Sequence, residues 1–187
     1  SQPDNLLLHF FGTTVSMKDG RGEQALGLLK QRPTGSAYFA FPFLEYLEGE
    51  ILLQKGQYAA ARKQFNEFLS QYKGQNFLKD TYLKLFLSYW LVGEDADANV
   101  FLGKIGKVGA TYVESDKAAL KFAENYTKGL INNQQKTLMK ARLAFDGGYL
   151  EEAAAALKNV NEASFENGRD RAEYRYRLGR IFQRQEH

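Results

Sequence analysis

Phe43-Leu44-Glu45-Tyr46-Leu47-Glu48-Gly49-Glu50-Ile51-Leu52-Leu53-Gln54-Lys55-Gly56-Gln57-Tyr58-Ala59-Ala60-Ala61-Arg62-Lys63-Gln64-Phe65-Asn66-Glu67-Phe68-Leu69 is the stretch that decides the fold. It reads as two amphipathic helices hinged at Lys55-Gly56-Gln57-Tyr58. In its second half Tyr58, Ala61, Phe65, Phe68, Leu69 and Tyr72 fall on one stripe at helical rather than strand spacing. A glycine sits in the first helix (Gly49) and another at the hinge (Gly56). An alanine follows five residues after the hinge and a large apolar residue nine after it.

The same grammar recurs along the chain. Around Gly20 it places Leu6, Leu7, Leu8, Phe10 and Phe11 before the hinge, and Ala25 and Leu29 after it. Asp4 or Asn5 can cap the first turn, and Gln31-Arg32-Pro33 stops the second helix because proline has no amide hydrogen to donate. A loop at Thr34-Gly35-Ser36 then leads through Tyr38, Phe39 and Phe41 to Pro42. Around Gly93 stand Tyr82, Leu85, Phe86, Tyr89 and Trp90, then Ala98, Leu102 and Ile105. Around Gly148 stand Ala141 before the hinge and Ala153, Leu157 and Val160 after it. A last first-helix, Ala172 to Gln183, carries Gly179 in the small-residue position, with a hinge expected near 186.

The hinges at 20, 56, 93 and 148 are separated by 36, 37 and 55 residues. The long interval exceeds its predecessor by 55 − 37 = 18, room for one more helix and its loop. Ser115-Asp116-Lys117-Ala118-Ala119-Leu120-Lys121-Phe122-Ala123-Glu124 suits that helix, with Ser115 or Asp116 as its cap. This insertion either lengthens the stack or breaks its path.

The repeat resembles the tetratricopeptide family, whose period is roughly 34 residues. The resemblance covers nearly the whole chain and is fullest in the second, fourth and last copies. It implies an all-α fold, a right-handed α-solenoid of stacked antiparallel helical hairpins, in one domain spanning 1–187. The repeats are expected at about 5–33, 42–72, 78–108 and 131–161, the inserted helix at about 115–126 and an incomplete repeat at 170–187. Phe86 stands where the family keeps a small residue, so packing must differ there. A hairpin cannot bury its apolar face alone and is stabilised by stacking on neighbours. An uncovered last helix therefore leads us to expect either a longer protein or a partner on that face, self-association included.

Composition agrees with a globular chain: 187 residues, 44% apolar, 25% charged, and a net charge of +3 from 25 basic and 22 acidic residues. No run of about eighteen apolar residues is present to span a membrane, and no secretory leader is visible at Ser1-Gln2-Pro3-Asp4. Without cysteine there is no disulfide, thiol catalysis or thiolate metal site, and the compartment stays open.

Catalytic constellations are thin. His9 lies among apolar residues at helical spacing and reads as a packing residue; His187 is terminal. Gly103-Lys104-Ile105-Gly106-Lys107-Val108-Gly109 lacks the earlier glycine, the hydroxyl after the lysine and the preceding strand that a phosphate loop needs. It reads as a helix C-terminus. The acidic neighbours Glu48/Glu50, Glu94/Asp95 and Glu151/Glu152 do not share a helix face as a dyad would. No cofactor or metal is expected.

Carried over from the family by position, a concave groove would be lined by Tyr46, Glu50 and Leu53, then Lys84, Leu87 and Trp90. Leu138, Arg142 and Phe145 would follow, and finally Tyr176, Arg177 and Arg180. An aromatic floor with Lys and Arg at its rim suits a protein or peptide partner, which makes the expected function a non-enzymatic scaffold or adaptor. The paired Lys and Asn clamp for a C-terminal carboxylate is not recovered, since Lys84 has no Asn partner. Arg171, Arg175, Arg177, Arg180 and Arg184 offer the alternative of a nucleic acid or other polyanion. Guanidinium groups fit phosphate and carboxylate alike, although a solvated face balanced by Glu166, Asp170, Glu173 and Glu186 accounts for the same residues. A recruitment arm for an enzyme elsewhere is the other alternative.

Overall fold

The computed structural model describes residues 5–33 and 41–185. Asp4, the loop at 34–36, Tyr38, Phe39 and the last hinge near 186 lie outside them. Among the described residues the chain is all-α, with no strand: α1 (Leu6–Lys18), α2 (Gly22–Lys30), α3 (Phe43–Gln54), α4 (Tyr58–Gln71), α5 (Leu78–Trp90), α6 (Asp95–Ile105), α7 (Glu114–Thr127), α8 (Asn133–Asp146), α9 (Leu150–Leu157) and α10 (Gly168–Gln185), with a short 3-10 turn at Glu162–Ser164.

Four turns are built alike. Gly20, Gly56, Gly93 and Gly148 all have φ between 66° and 85°, the left-handed region that a side chain disfavours. In each turn the glycine N–H donates three residues back, to Met17, Leu53, Trp90 and Phe145 respectively. The next N–H donates five residues back, to Ser16, Leu52, Tyr89 and Ala144. This paired closure satisfies helix-end carbonyls and reverses the chain. The alanines that follow, Ala25, Ala61, Ala98 and Ala153, are all fully buried where the second helix meets the first. On the facing helix, a Cβ placed on Gly49 would lie 2.7 Å from the Phe65 ring, so only glycine lets that ring sit there. Phe86, at the matching position of α5, is fully buried and packs on Trp90, Phe122 and Tyr126 instead. Two of those rings belong to α7, so the inserted helix receives the bulk that a partner helix has no room for.

The first three hairpins are consecutive neighbours, with α3 packed on α1, α2, α4 and α5. α7 then rests on α5 and α6, and α8 returns to α3. In doing so α8 crosses the turn end of all three hairpins in reverse order. Lys136 near its start lies over the Trp90 ring (5.2 Å) and 3.5 Å from Asp95, beside the third turn. Lys140 and Ala144 line a cavity with Lys55, Gly56 and Tyr58 of the second turn. At its end the Gly22 N–H donates to the Gly147 carbonyl (3.0 Å) at the first turn. From Lys136 to Gly147 is 11 residues, a rise of about 17 Å at 1.5 Å per residue, roughly two helix-to-helix spacings. Of the two roles open to the insertion, redirecting the chain is the one observed. α10 closes the fold on α8 and α9.

The N-terminus of α5 is where α6 and α7 are tied down. The fully buried Asp116 of α7 accepts the N–H groups of Phe77 (2.7 Å) and Asp80 (3.0 Å), capping α5 from another helix. Buried Lys79 donates to the carbonyls of Ile105 and Val108, closing the end of α6. The glycine-rich stretch after α6 is therefore a lysine-capped helix end.

Candidate functional site

The expected groove positions separate by burial. Tyr46, Leu53, Leu87, Trp90, Leu138 and Phe145 are buried in one continuous core. As ligand-facing residues they need correcting: the Tyr46 ring packs on Phe43, Phe65, Phe68 and Phe77, from its own hairpin and the start of α5. Trp90 is covered by Phe86, Phe122 and Tyr126.

Glu50 and Lys84 belong to a half-buried polar network. The Tyr46 hydroxyl donates to Asp80, and the Lys84 ammonium lies 2.6 Å from Asp80, 2.5 Å from the Tyr46 oxygen and 3.3 Å from Glu50. Burial, with the Asp80 and Glu50 charges, pushes the Tyr46 phenol well above its ordinary value, while Lys84 opposes the shift. Burial pulls the Lys84 ammonium down, but Asp80, then Glu50 and Tyr46, outweigh it and hold the group well above its usual range. Both groups bind their protons more tightly folded than unfolded. Their contribution to stability is thus complete below about pH 10 and lost as pH rises through the folded values. Melting temperature should stay level from neutral pH to about 10 and fall above it. Lys84→Met should flatten that alkaline fall, and an unchanged slope would sink the assignment.

The arginines of α10, expected as an alternative surface for a polyanion, divide between its two sides. Arg177 lies 3.2 Å from Asp146 and over the Phe145 ring, and Arg184 lies 4.6 Å from the same ring. This side of α10 faces α8, which occupies the guanidinium groups with aromatic and acidic partners. Arg180 is half-buried and donates to Gln183. Arg171 and Arg175 are exposed, Arg175 paired with Glu162 at 2.5 Å. Tyr176 is 58% exposed. His9 is half-buried, with Nδ1 3.0 Å from the Leu28 carbonyl.

What remains open is a cleft of about 520 Å³ between the ends of α5 and α7 on one side and α8 with the start of α10 on the other. Its floor holds Trp90, Phe122, Leu138 and Met139, and Leu130 and Ile131 of the α7–α8 connection extend it. Leu130 is 62% exposed. Asn125, Gln135, Asn167 and Arg169 form a polar rim. Arg142, one of the expected groove residues, lies here but is committed: its Nε and a terminal nitrogen both donate to Glu173 (2.9 and 2.5 Å). Asp170 is held by Asn167 on both backbone and side chain. Exposed Arg169 is in contrast the cation of the rim that carries no ion pair among those seen in the described residues.

Of the cleft residues, Trp90, Leu138 and Arg142 are among the expected groove positions, whereas Phe122, Leu130, Met139 and Arg169 are not. The adjacent apolar pair Leu130-Ile131 directly after Gly129 was the available signal, since a connection between two helices rarely exposes such a pair without use. Among the described residues no His, Asp or Glu group is arranged to hold a metal, and no helix is long and apolar enough to cross a membrane. Comparison with known protein families, curated proteins and solved structures gives no match for this chain.

Proposed function

We propose that this chain is a right-handed tetratricopeptide-type helical-repeat protein acting without catalysis, as a scaffold that holds a segment of a partner protein in the Trp90–Arg142 cleft. The observation that carries this reading is a cleft in which exposed Leu130 and half-buried Phe122, Ile131 and Met139 lie over the buried Trp90 and Leu138, edged by side-chain amides and by Arg169, which carries no ion pair among the described residues. The Asn125 amide pairs with the backbone of an extended segment, an apolar side chain meets Leu130 and Met139, and Arg169 favours a carboxylate beside that anchor. The partner segment is therefore a short peptide with one large apolar residue next to an acidic one.

Selection from a random peptide library displayed on phage tests this. Enriched peptides should share the apolar and acidic pair. Their binding should weaken at least about tenfold in Met139→Lys and in Arg169→Glu, a loss of about 1.4 kcal/mol each, while the melting temperature changes little because both side chains are partly or fully exposed. Enriched peptides without that pair, or binding unaffected by either variant, would overturn the site. Retention on heparin that falls steeply with salt and disappears in Arg171→Glu with Arg175→Glu would favour a polyanion instead.

A further inference from the structure

α10 repeats the pattern of α3. Tyr46-Leu47-Glu48-Gly49-Glu50-Ile51-Leu52 is matched by Tyr176-Arg177-Leu178-Gly179-Arg180-Ile181-Phe182, with the tyrosine, glycine and isoleucine at the same spacing. Ile51 and Ile181 are both fully buried, so the inner side of the two helices is used alike. The other side is not. Tyr46 is 7% exposed against 58% for Tyr176, and Leu52 6% against 56% for Phe182. A Cβ on Gly49 would strike Phe65 of α4, whereas one on Gly179 would meet nothing within 4 Å.

Gly179 is thus a glycine inside a long helix with no left-handed backbone and no close neighbour to require it. Such a residue costs a helix roughly 0.5–1 kcal/mol relative to alanine. In α3 the same cost is offset by the ring of a second helix. In three of the four hairpins that second helix carries a buried alanine followed four residues later by a large buried apolar residue, Ala25 and Leu29, Ala61 and Phe65, Ala153 and Leu157, and in the third Ala98 is followed by a half-buried Leu102.

Charge narrows the occupant further. At 100° per residue Ala172, Tyr176, Gly179 and Gln183 form the centre of the outer stripe, with Arg171 and Arg175 on one side and Arg169 and Arg180 on the other. A second copy of α10 laid on this face would set arginine against arginine. An acidic helix is attracted to it.

We propose that the outer face of α10 is a docking site for one acidic amphipathic helix of another protein, which presents a small residue and a large apolar residue four positions apart to Gly179. The large residue packs over Gly179 between Tyr176 and Phe182, as Phe65 packs over Gly49. Glutamates flanking it meet Arg171 and, in exchange for Glu162, Arg175. This surface lies apart from the apolar floor of the Trp90–Arg142 cleft and shares only Arg169 with its rim.

The probe is a labelled, helix-stapled peptide with the sequence of α4, Tyr58–Gln71, in which Glu replaces Arg62 and Lys63. Its fluorescence anisotropy is titrated with the whole chain. Saturable binding is expected, at least about tenfold weaker in Gly179→Leu and in Arg171→Glu with Arg175→Glu. It should weaken as salt is raised and be unchanged in Met139→Lys, which separates it from the cleft. Gly179→Leu should not lower the melting temperature of the free chain, since its side chain enters open space. Absence of saturable binding, or binding indifferent to Gly179→Leu, overturns the proposal. Equal binding of the unaltered basic α4 peptide overturns its acidic character. A concentration-dependent dimer in sedimentation that Gly179→Leu dissolves would assign the face to a second copy and overturn it as well.

Discussion

Gly148→Ala is expected to cost about 4 kcal/mol, while Gly93→Ala at an equivalent turn costs about 1–2. Both glycines have nearly the same backbone conformation, φ 80° and 85°, so the left-handed strain of an added Cβ is common to them. They differ in surroundings. Around Gly93 an added Cβ meets nothing within 4 Å, whereas at Gly148 it would lie 1.8 Å from the Gly20 carbonyl oxygen. That oxygen belongs to backbone and cannot rotate away. Relief requires parting the first and fourth turns, which breaks the bond from Gly22 N–H to the Gly147 carbonyl and opens the packing of Gly147 on Gln54. A buried backbone bond contributes about 1 kcal/mol and its orphaned groups cost more. Against a total of roughly 5–15 kcal/mol the variant is severely impaired, with a melting temperature lower by about 10 °C. Urea unfolding of both variants measures the difference. If the two glycines cost the same, the contact between the turns carries no stability and α8 is not held at its end.

That contrast marks the boundary of what the sequence makes legible. Hinge glycines, buried alanines and the presence of a helix at 114–127 follow from local rules, because each depends on residues within one hairpin. Gly20 and Gly148 are both readable as turns. Their mutual contact, between positions 128 apart, is not, since glycine at a hinge is explained by its own φ. Trp90 shows the same limit from another side. Its place on the first helix of a hairpin suggests an open aromatic surface, but two of the three rings that cover it come from α7, and no period in the sequence says where an inserted helix will lie. Phe86 was the clue, because a ring where the other copies have Thr13, Gly49 and Ala141 needs a recipient outside its own hairpin.

The cleft is legible to a lesser degree. Leu138 and Arg142 belong to a helix whose face could be assigned from its hinge. Arg169 reaches the site only because α10 turns back onto α8, a consequence of tertiary packing. The arginines of α10 divide on the same ground: Arg177 and Arg184 are drawn to Phe145, while Arg171 and Arg175 keep to the outer side.

Asp116→Ala should be nearly as damaging as the change at Gly148, at about 3 kcal/mol, although it alters no part of a hairpin. The carboxylate is fully buried and accepts two backbone N–H groups at the start of α5, where the aligned peptide dipoles favour a negative charge. Alanine leaves the buried Asp80 donor and the half-buried Phe77 donor without their acceptor, and a buried group left so costs about 1–3 kcal/mol. Phe77 adds to this, because at φ 66° it holds a conformation that a non-glycine residue adopts only under constraint, and the bond to Asp116 is that constraint. Asp116→Asn keeps one acceptor oxygen and loses the charge, so its cost should fall between wild type and alanine, at about 1–2 kcal/mol. Hydrogen exchange separates this tie from general weakening. Released from α5, α7 should lose protection in Asp116→Ala by about a hundredfold more than α3 and α4 lose, since local opening precedes global unfolding. Should α7 and α4 lose protection equally, or the alanine variant cost less than about 1 kcal/mol, the cap is incidental. Should α7 open first, the joint between the third hairpin and the inserted helix is the element that sends α8 back across the turns.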